Sequence, residues 1–419
     1  MVTQLRPDQL YRWGIWLAVV NAFLSPILQD FKLLQISPWI PAALFYAGLP
    51  FITICFAGSL YLRKDIKWWK LDPVEIVLGF AMLWACTQVP LYGGEVGDIA
   101  GNFLRILFAF SAYKATRLYG TDLLMRDVVP RLARWGFWGV FWALFGLYAV
   151  GVFGPMYVYL SLNSEEIFVA FALALTLFDA RRIPYSTAVF LLVILGGRRG
   201  AILAALAMIL MKYSMNWNTG EGAKWKRATL LGIGLGVVLG LVGFVKWAQS
   251  NVEVFDVLPA GAKVRIVPLL LASEEQDTTT LTGKRNVEVE AVFRQWAEDP
   301  VQMFTGQGYG ATWINEEGEP DSTVHFSPVA VSLIYGAPMA VLIYVAMLWL
   351  PIVSVLRAII GHGDREEQIW GLVTFGLIIL SLTGFSIFQN YVLWIGLGML
   401  RALTLRSREE VRALSPAYA

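Results

Sequence analysis

Six basic residues and one histidine are the side chains here that could grip an anion and move a proton. Arg198 and Arg199 stand together in "LGGRRGAILAAL" (195–206), between stretches with almost no other polarity. A charge at the middle of a bilayer costs about 2.5–3.5 kcal/mol on the lowest scales. Such a pair either snorkels to lipid phosphate or holds something negative. Gly196, Gly197 and Gly200 flank it, which allows a sharp turn and lets a bulky ligand approach the backbone. Arg105, in "IAGNFLRILFAF", is a second isolated charge that needs either Glu95 or Asp98 as a partner or a bound anion. Further on, "TGKRN" places Lys284 and Arg285 at the start of an amphipathic helix that Thr282 or Gly283 could cap. Basic residues in a first turn oppose the helix dipole. They are either simply solvated there or accompanied by an anion on the free backbone N–H groups. Arg265 lies in the same hydrophilic stretch. His325, in "GEPDSTVHFSPVAVSLIYG", stands where that stretch returns to an apolar run. Histidine is the ordinary general base near neutral pH, so these residues suit a reaction at an anionic leaving group.

Other chemistries fail on inventory. Cys55 and Cys86 each fall inside an apolar run, which excludes a disulfide framework. His325 and His362 are the only histidines and lie far apart, so no metal centre is expected. No glycine-rich loop ends in Lys-Ser or Lys-Thr, so no nucleotide and no other cofactor is expected. The formal net charge of +2 gives no reason to expect a nucleic acid.

The elements that must position these residues are membrane helices. Of the 419 residues, 57% are hydrophobic and 15% charged, too little charge to keep a soluble surface wet. The mean hydropathy is +0.59, and 17 tryptophans and 16 tyrosines suit two interfacial belts. Apolar runs at 13–29, 38–62, 73–92, 99–118, 133–154, 165–179, 184–197, 199–215, 227–248, 328–357, 369–388 and 390–405 predict an all-α polytopic protein of about 12 transmembrane helices. The first run follows Arg6 and Arg12, lacks a small-x-small cleavage pattern, and reads as a retained helix. The run at 328–357 is interrupted at Gly336–Pro338. Connections such as "LRKDIKWWK" and "DARRI" are basic, whereas "LYGGEVGDIAG" and "FQNY" hold no Lys or Arg. The alternation puts both termini in the cytoplasm. Three segments follow: membrane helices over 1–248, a large outer loop over 249–327, and membrane helices with a cytoplasmic tail over 328–419. In the loop, "NVEVEAVFRQWAEDP" places Val289, Val292, Phe293 and Trp296 on one helical stripe, lying on the bundle or the membrane interface.

The order "GGRRGA", "TGKRN", "DPVQMFTGQGYG" and "HFSPVAVSLIYGAP" resembles the bacterial O-antigen polymerase and O-antigen ligase superfamily. The topology matches over the whole chain, the motifs over 196–201 and 282–338. The resemblance implies a GT-C-like glycosyltransferase of the bacterial inner membrane, working at the periplasmic face without metal or nucleotide. Its donor would be a glycan on undecaprenyl pyrophosphate, and its acceptor another glycan or lipid A core. Chain-length regulators and flippases would be its protein partners. By position, Arg199 and Arg285 would bind pyrophosphate, with Arg198 and Lys284 beside them, and His325 would deprotonate the acceptor hydroxyl. Arg105 and Arg265 join that group from their sidedness alone. Many ligases carry Asn directly after this histidine. Phe326 stands there in this chain, which favours polymerisation over ligation. A lipid-linked saccharide flippase is the more distant alternative, but it needs a polar path across the bundle, and the cytoplasmic half shows few polar residues.

Overall fold

The computed structural model describes residues 6–30, 39–63, 70–120, 199–215, 285–315, 318–322, 324–360, 363–382 and 387–414. These are mostly helical, which agrees with the all-α expectation. Helix α1 (Pro7–Asp30) is followed by α2 (Trp39–Tyr61), α3 (Pro73–Tyr92), α4 (Val96–Tyr119) and α5 (Arg199–Ser214). Then come α6 (Arg285–Glu298), the single-turn α7 (Pro300–Thr305), and a hairpin of β1 (Trp313–Ile314) and β2 (Pro320–Asp321). The chain closes with α8 (Ser327–Tyr335), α9 (Ala337–Ile359), α10 (Arg365–Leu382), a 3-10 turn at Ile387–Gln389, and α11 (Tyr391–Leu414).

Helix α3 shows how local sequence sets these bounds. Asp72 accepts from the Val74 N–H at 3.2 Å, while Glu75 accepts from the Asp72 N–H at 3.2 Å. The two side chains satisfy N–H groups that the first turn leaves without partners, and Pro73 needs none. The helix stops at Gly93, whose N–H returns to the Val89 carbonyl at 2.8 Å. Helices α3, α4 and α11 then share one core with α1, α2, α9 and α10, in which Ile106, Phe108, Leu377, Leu393 and Trp394 are buried.

Helices α3 and α9 are long and apolar enough to cross a membrane by length and composition. Both turn large apolar side chains outward, among them Phe80 and Leu83 on α3 and Val345 and Trp349 on α9. The interruption expected at Gly336–Pro338 is present: Gly336 has φ +82° and separates α8 from α9. The run expected at 369–388 is offset, because the Asp364 carboxylate accepts from the Glu367 N–H at 2.7 Å and starts α10 early. Helix α11 runs past 405 through residues that favour helix, such as Arg406, Glu409 and Leu414. The runs at 133–154, 165–179, 184–197 and 227–248 lie outside the described residues.

Candidate active site

Helix α6 supplies one wall of the site. Val292 and Trp296 are buried, with Val289 packed beside them, against Ala311, Trp313, Val324, Val329 and Leu333. This seam docks α6 on the β-hairpin and on α8, in a small core separate from the main one. Phe293 stands outside this seam: it is 52% exposed and meets Trp296 edge-on, at 5.3 Å between ring centres. The partner surface is a two-residue strand and a short helix, too narrow to cover four apolar positions.

His325 stands between β2 and α8, and its position is fixed on both sides. Val324 before it is buried in the seam. Ser327 after it accepts from the Ile387 N–H and from the Tyr344 hydroxyl, each at 2.9 Å. The Glu288 carboxylate reaches across from α6 and takes His325 at two points. Oε2 accepts from the backbone N–H at 2.7 Å, and Oε1 lies 2.7 Å from ring Nδ1. The Glu288 side chain is 13% exposed and that of His325 is 41% exposed, so the carboxylate sits behind the ring. An ionised carboxylate can only accept. Against it, a neutral ring carries its proton on Nδ1 and its lone pair on Nε2, the arrangement of an oriented general base.

The other end of α8 holds the "GQGYG" turn. The N–H groups of Gln307 and Gly308 donate to the Leu333 and Ile334 carbonyls at 2.8 and 3.0 Å. Gly310 lies on the Gly93–Gly94 turn so closely that a Cβ there would meet Gly94 Cα at 2.6 Å. The Tyr309 hydroxyl donates to the Met82 carbonyl at 2.9 Å, and burial pushes its phenol well above the ordinary value. It therefore acts as a neutral donor and not as an acid. Arg105 reaches this turn through Asn102: its Nη1 donates to Asn102 Oδ1 at 2.9 Å, and Asn102 Nδ2 donates to the Tyr309 carbonyl at 2.7 Å. Asn102, a neutral side chain, is thus one partner of Arg105.

The structure therefore brings His325 together with Glu288, and Arg105 together with the glycine turn one short helix away. Arg285 lies on α6 three positions before Glu288, which is about one helical turn. Arg199 lies on α5, which packs on α10 with Met208 against Gly376. The side chains of Arg199 and Arg285 lie outside the described residues, as do Arg198, Arg265, Lys284 and the caps Thr282 and Gly283. No three His, Cys, Asp or Glu side chains among the described residues gather as a metal site.

A second charged cluster escaped the sequence reading. Glu75, fully buried, pairs with Lys114 at 3.5 Å and Arg117 at 2.8 Å. Asp72 holds Arg401 Nη2 at 2.6 Å and accepts from the Tyr113 hydroxyl at 2.9 Å. It joins α3, α4 and α11.

No protein-family model matches this chain, and no curated protein or solved structure matches it either. Fold and site define a helical protein with a carboxylate-oriented histidine at the start of a short helix.

Proposed function

We propose that this protein is a membrane glycosyltransferase that polymerises undecaprenyl-pyrophosphate-linked oligosaccharide repeats at the periplasmic face of the bacterial inner membrane. The observation that carries the proposal is the Glu288–His325 pair, whose acid stands three positions after Arg285 on the same helix. A general base held by a carboxylate, on a helix that also carries an arginine one turn away, is the equipment for attack by a hydroxyl at a carbon that bears an anionic leaving group. The order of the arginine and histidine motifs along the chain supports the same reading.

In the reaction, an acceptor hydroxyl attacks the anomeric carbon on the face opposite the diphosphate. The new C–O bond forms as the bond to the diphosphate breaks, and the electron pair leaves on the diphosphate oxygen. The hydroxyl proton passes to His325 Nε2, and the anomeric configuration inverts. Arg199 and Arg285 bind the diphosphate, with Arg198, Lys284, Arg105 and Arg265 adding positive charge around it. Arginine suits the task because it stays protonated and grips phosphate oxygens as a fork. About 12 transmembrane helices, with both termini in the cytoplasm, would place the loop and His325 outside. Phe326 beside His325 favours a glycan over lipid A core as acceptor.

The test is the purified protein with a lipid-pyrophosphate glycan, with and without a lipid A core acceptor. A ladder of longer lipid-linked glycans is expected in both cases. His325→Ala should abolish the ladder, and Arg199→Lys should weaken it almost as much as Arg199→Ala, because a point charge cannot replace a bidentate fork. A normal ladder from His325→Ala would overturn the proposal, and product formed only with the core acceptor would make the protein a ligase.

A further inference from the structure

We infer that Glu288 is a positioning residue: it holds the His325 ring in the Nδ1–H tautomer, which leaves the lone pair on Nε2. The catalytic consequence rests on the transferase reading, whereas the tautomer itself does not.

Three observations carry the inference. Both Glu288 oxygens are spent on one residue, each at 2.7 Å. A carboxylate that served only to attach the loop to α6 would need one contact. Two contacts, one to the backbone and one to the ring, fix the ring's orientation relative to its own main chain. Attachment is moreover supplied by other groups. Val292 and Trp296 on α6 are buried against Val324, Val329 and Leu333 on either side of His325. Finally, exposure is graded in the sense that a base requires. The carboxylate is 13% exposed and the imidazole 41%, so the acid lies deeper than the ring it holds.

The same geometry predicts what an isosteric amide does. In Glu288→Gln the side-chain length is kept and the apolar seam is untouched. The His325 backbone N–H can only donate, so it keeps the amide oxygen as its acceptor. The amide nitrogen must then face Nδ1, and it can only donate. Nδ1 becomes the acceptor, the ring proton moves to Nε2, and the lone pair moves to Nδ1. The variant keeps two hydrogen bonds and a folded loop but presents the wrong tautomer. For a base dependent on Nε2 the expected loss is on the order of 10²–10⁴-fold in kcat, with the donor KM unchanged.

The experiment exploits a chain with 2 histidines. In full-length protein carrying His362→Gln, His325 is the only histidine. ¹⁵N-histidine labelling then reads which ring nitrogen bears the proton when the ring is neutral. Expected are Nδ1–H with Glu288 and Nε2–H with Glu288→Gln, alongside transfer assays on a lipid-pyrophosphate glycan. Nε2–H in the protein that retains Glu288 overturns the inference, whatever the activity. So does an unchanged tautomer in Glu288→Gln. A switched tautomer with undiminished transfer leaves the positioning role standing and removes His325 as the base, so the two readings fail separately. A switched tautomer with lost kcat supports both.

Discussion

The two ends of α3 treat charge in opposite ways. At its start, Glu75 is fully buried between Lys114 and Arg117, and Asp72 is gripped by Arg401 and Tyr113. At its far end, ~30 Å away for a helix of this length, the Gly93–Gly94 turn meets Gly310, and α8 runs from that turn back to His325. At His325 one carboxylate holds one imidazole, and the ring remains 41% exposed. Buried charges whose partners are also buried interact mainly with each other, so their role is to lock helices together. A carboxylate placed behind a partly exposed ring can instead serve a molecule that arrives from outside. Charge alone therefore does not mark a site; the direction in which it is left open does.

The comparison breaks most directly at Glu75. Glu75→Ala leaves two cations in the core without their acid, which costs about 3–5 kcal/mol when one partner of a buried pair is removed. Detergent-solubilised Glu75→Ala should give little folded protein or a strongly lowered Tm. His325→Ala, by contrast, should melt close to wild type while losing transfer. A Glu75→Ala variant that melts normally would show that the buried network is not a lock. A His325→Ala variant that fails to fold would show that the exposed dyad is one.

Much of the helical frame was legible in the sequence, for local reasons. Asp72-Pro73-Val74-Glu75 is a helix start and Gly93-Gly94 a stop, so the run read at 73–92 is the helix observed at Pro73–Tyr92. The break at Gly336 follows from Gly336 and Pro338, two positions apart. His325 and Glu288 were both visible as residues, but their contact spans 37 positions and repeats with no period. Asp72 and Arg401 are 329 positions apart, and only the packing of α3, α4 and α11 joins them. Local chemistry reports where elements begin and end. Pairing of charges across elements is a property of the packed bundle.

A smaller effect is expected where the two regions are mechanically linked. At Gly310 an added Cβ would strike the Gly93 carbonyl oxygen and lie 2.6 Å from Gly94 Cα. Both obstacles are backbone, so neither can swing aside as a side chain would. Gly310→Ala should cost about 1–3 kcal/mol, the usual range for overpacking, seen as a lower Tm. The turn also carries the Tyr309 carbonyl that Asn102 and, through it, Arg105 hold. Transfer should therefore fall as well, with the donor KM rising first if Arg105 contributes to diphosphate binding. A Gly310→Ala protein with wild-type Tm would mean that the loop is not pressed on α3 as described.

The smallest effect sharpens the picture of the cap itself. Trp296 is 5% exposed within the seam that seats α6, whereas Phe293, three positions earlier, is 52% exposed. The two rings meet edge-to-face, a contact worth about 0.5–1.5 kcal/mol beyond the area it covers. Phe293→Ala should therefore destabilise by roughly 1 kcal/mol, whereas Trp296→Ala should cost about 3–5 kcal/mol by emptying the seam. The dyad responds differently to each. With Phe293→Ala, α6 stays seated, Glu288 still reaches His325, and glycan transfer should remain near wild type. With Trp296→Ala, α6 loses its footing and transfer should drop together with stability. Measured side by side, the pair separates apolar residues that hold the acid behind the histidine from those that merely face outward beside it. Equal losses for the two variants would mean that Phe293 belongs to the seam after all, as its helical spacing alone suggests.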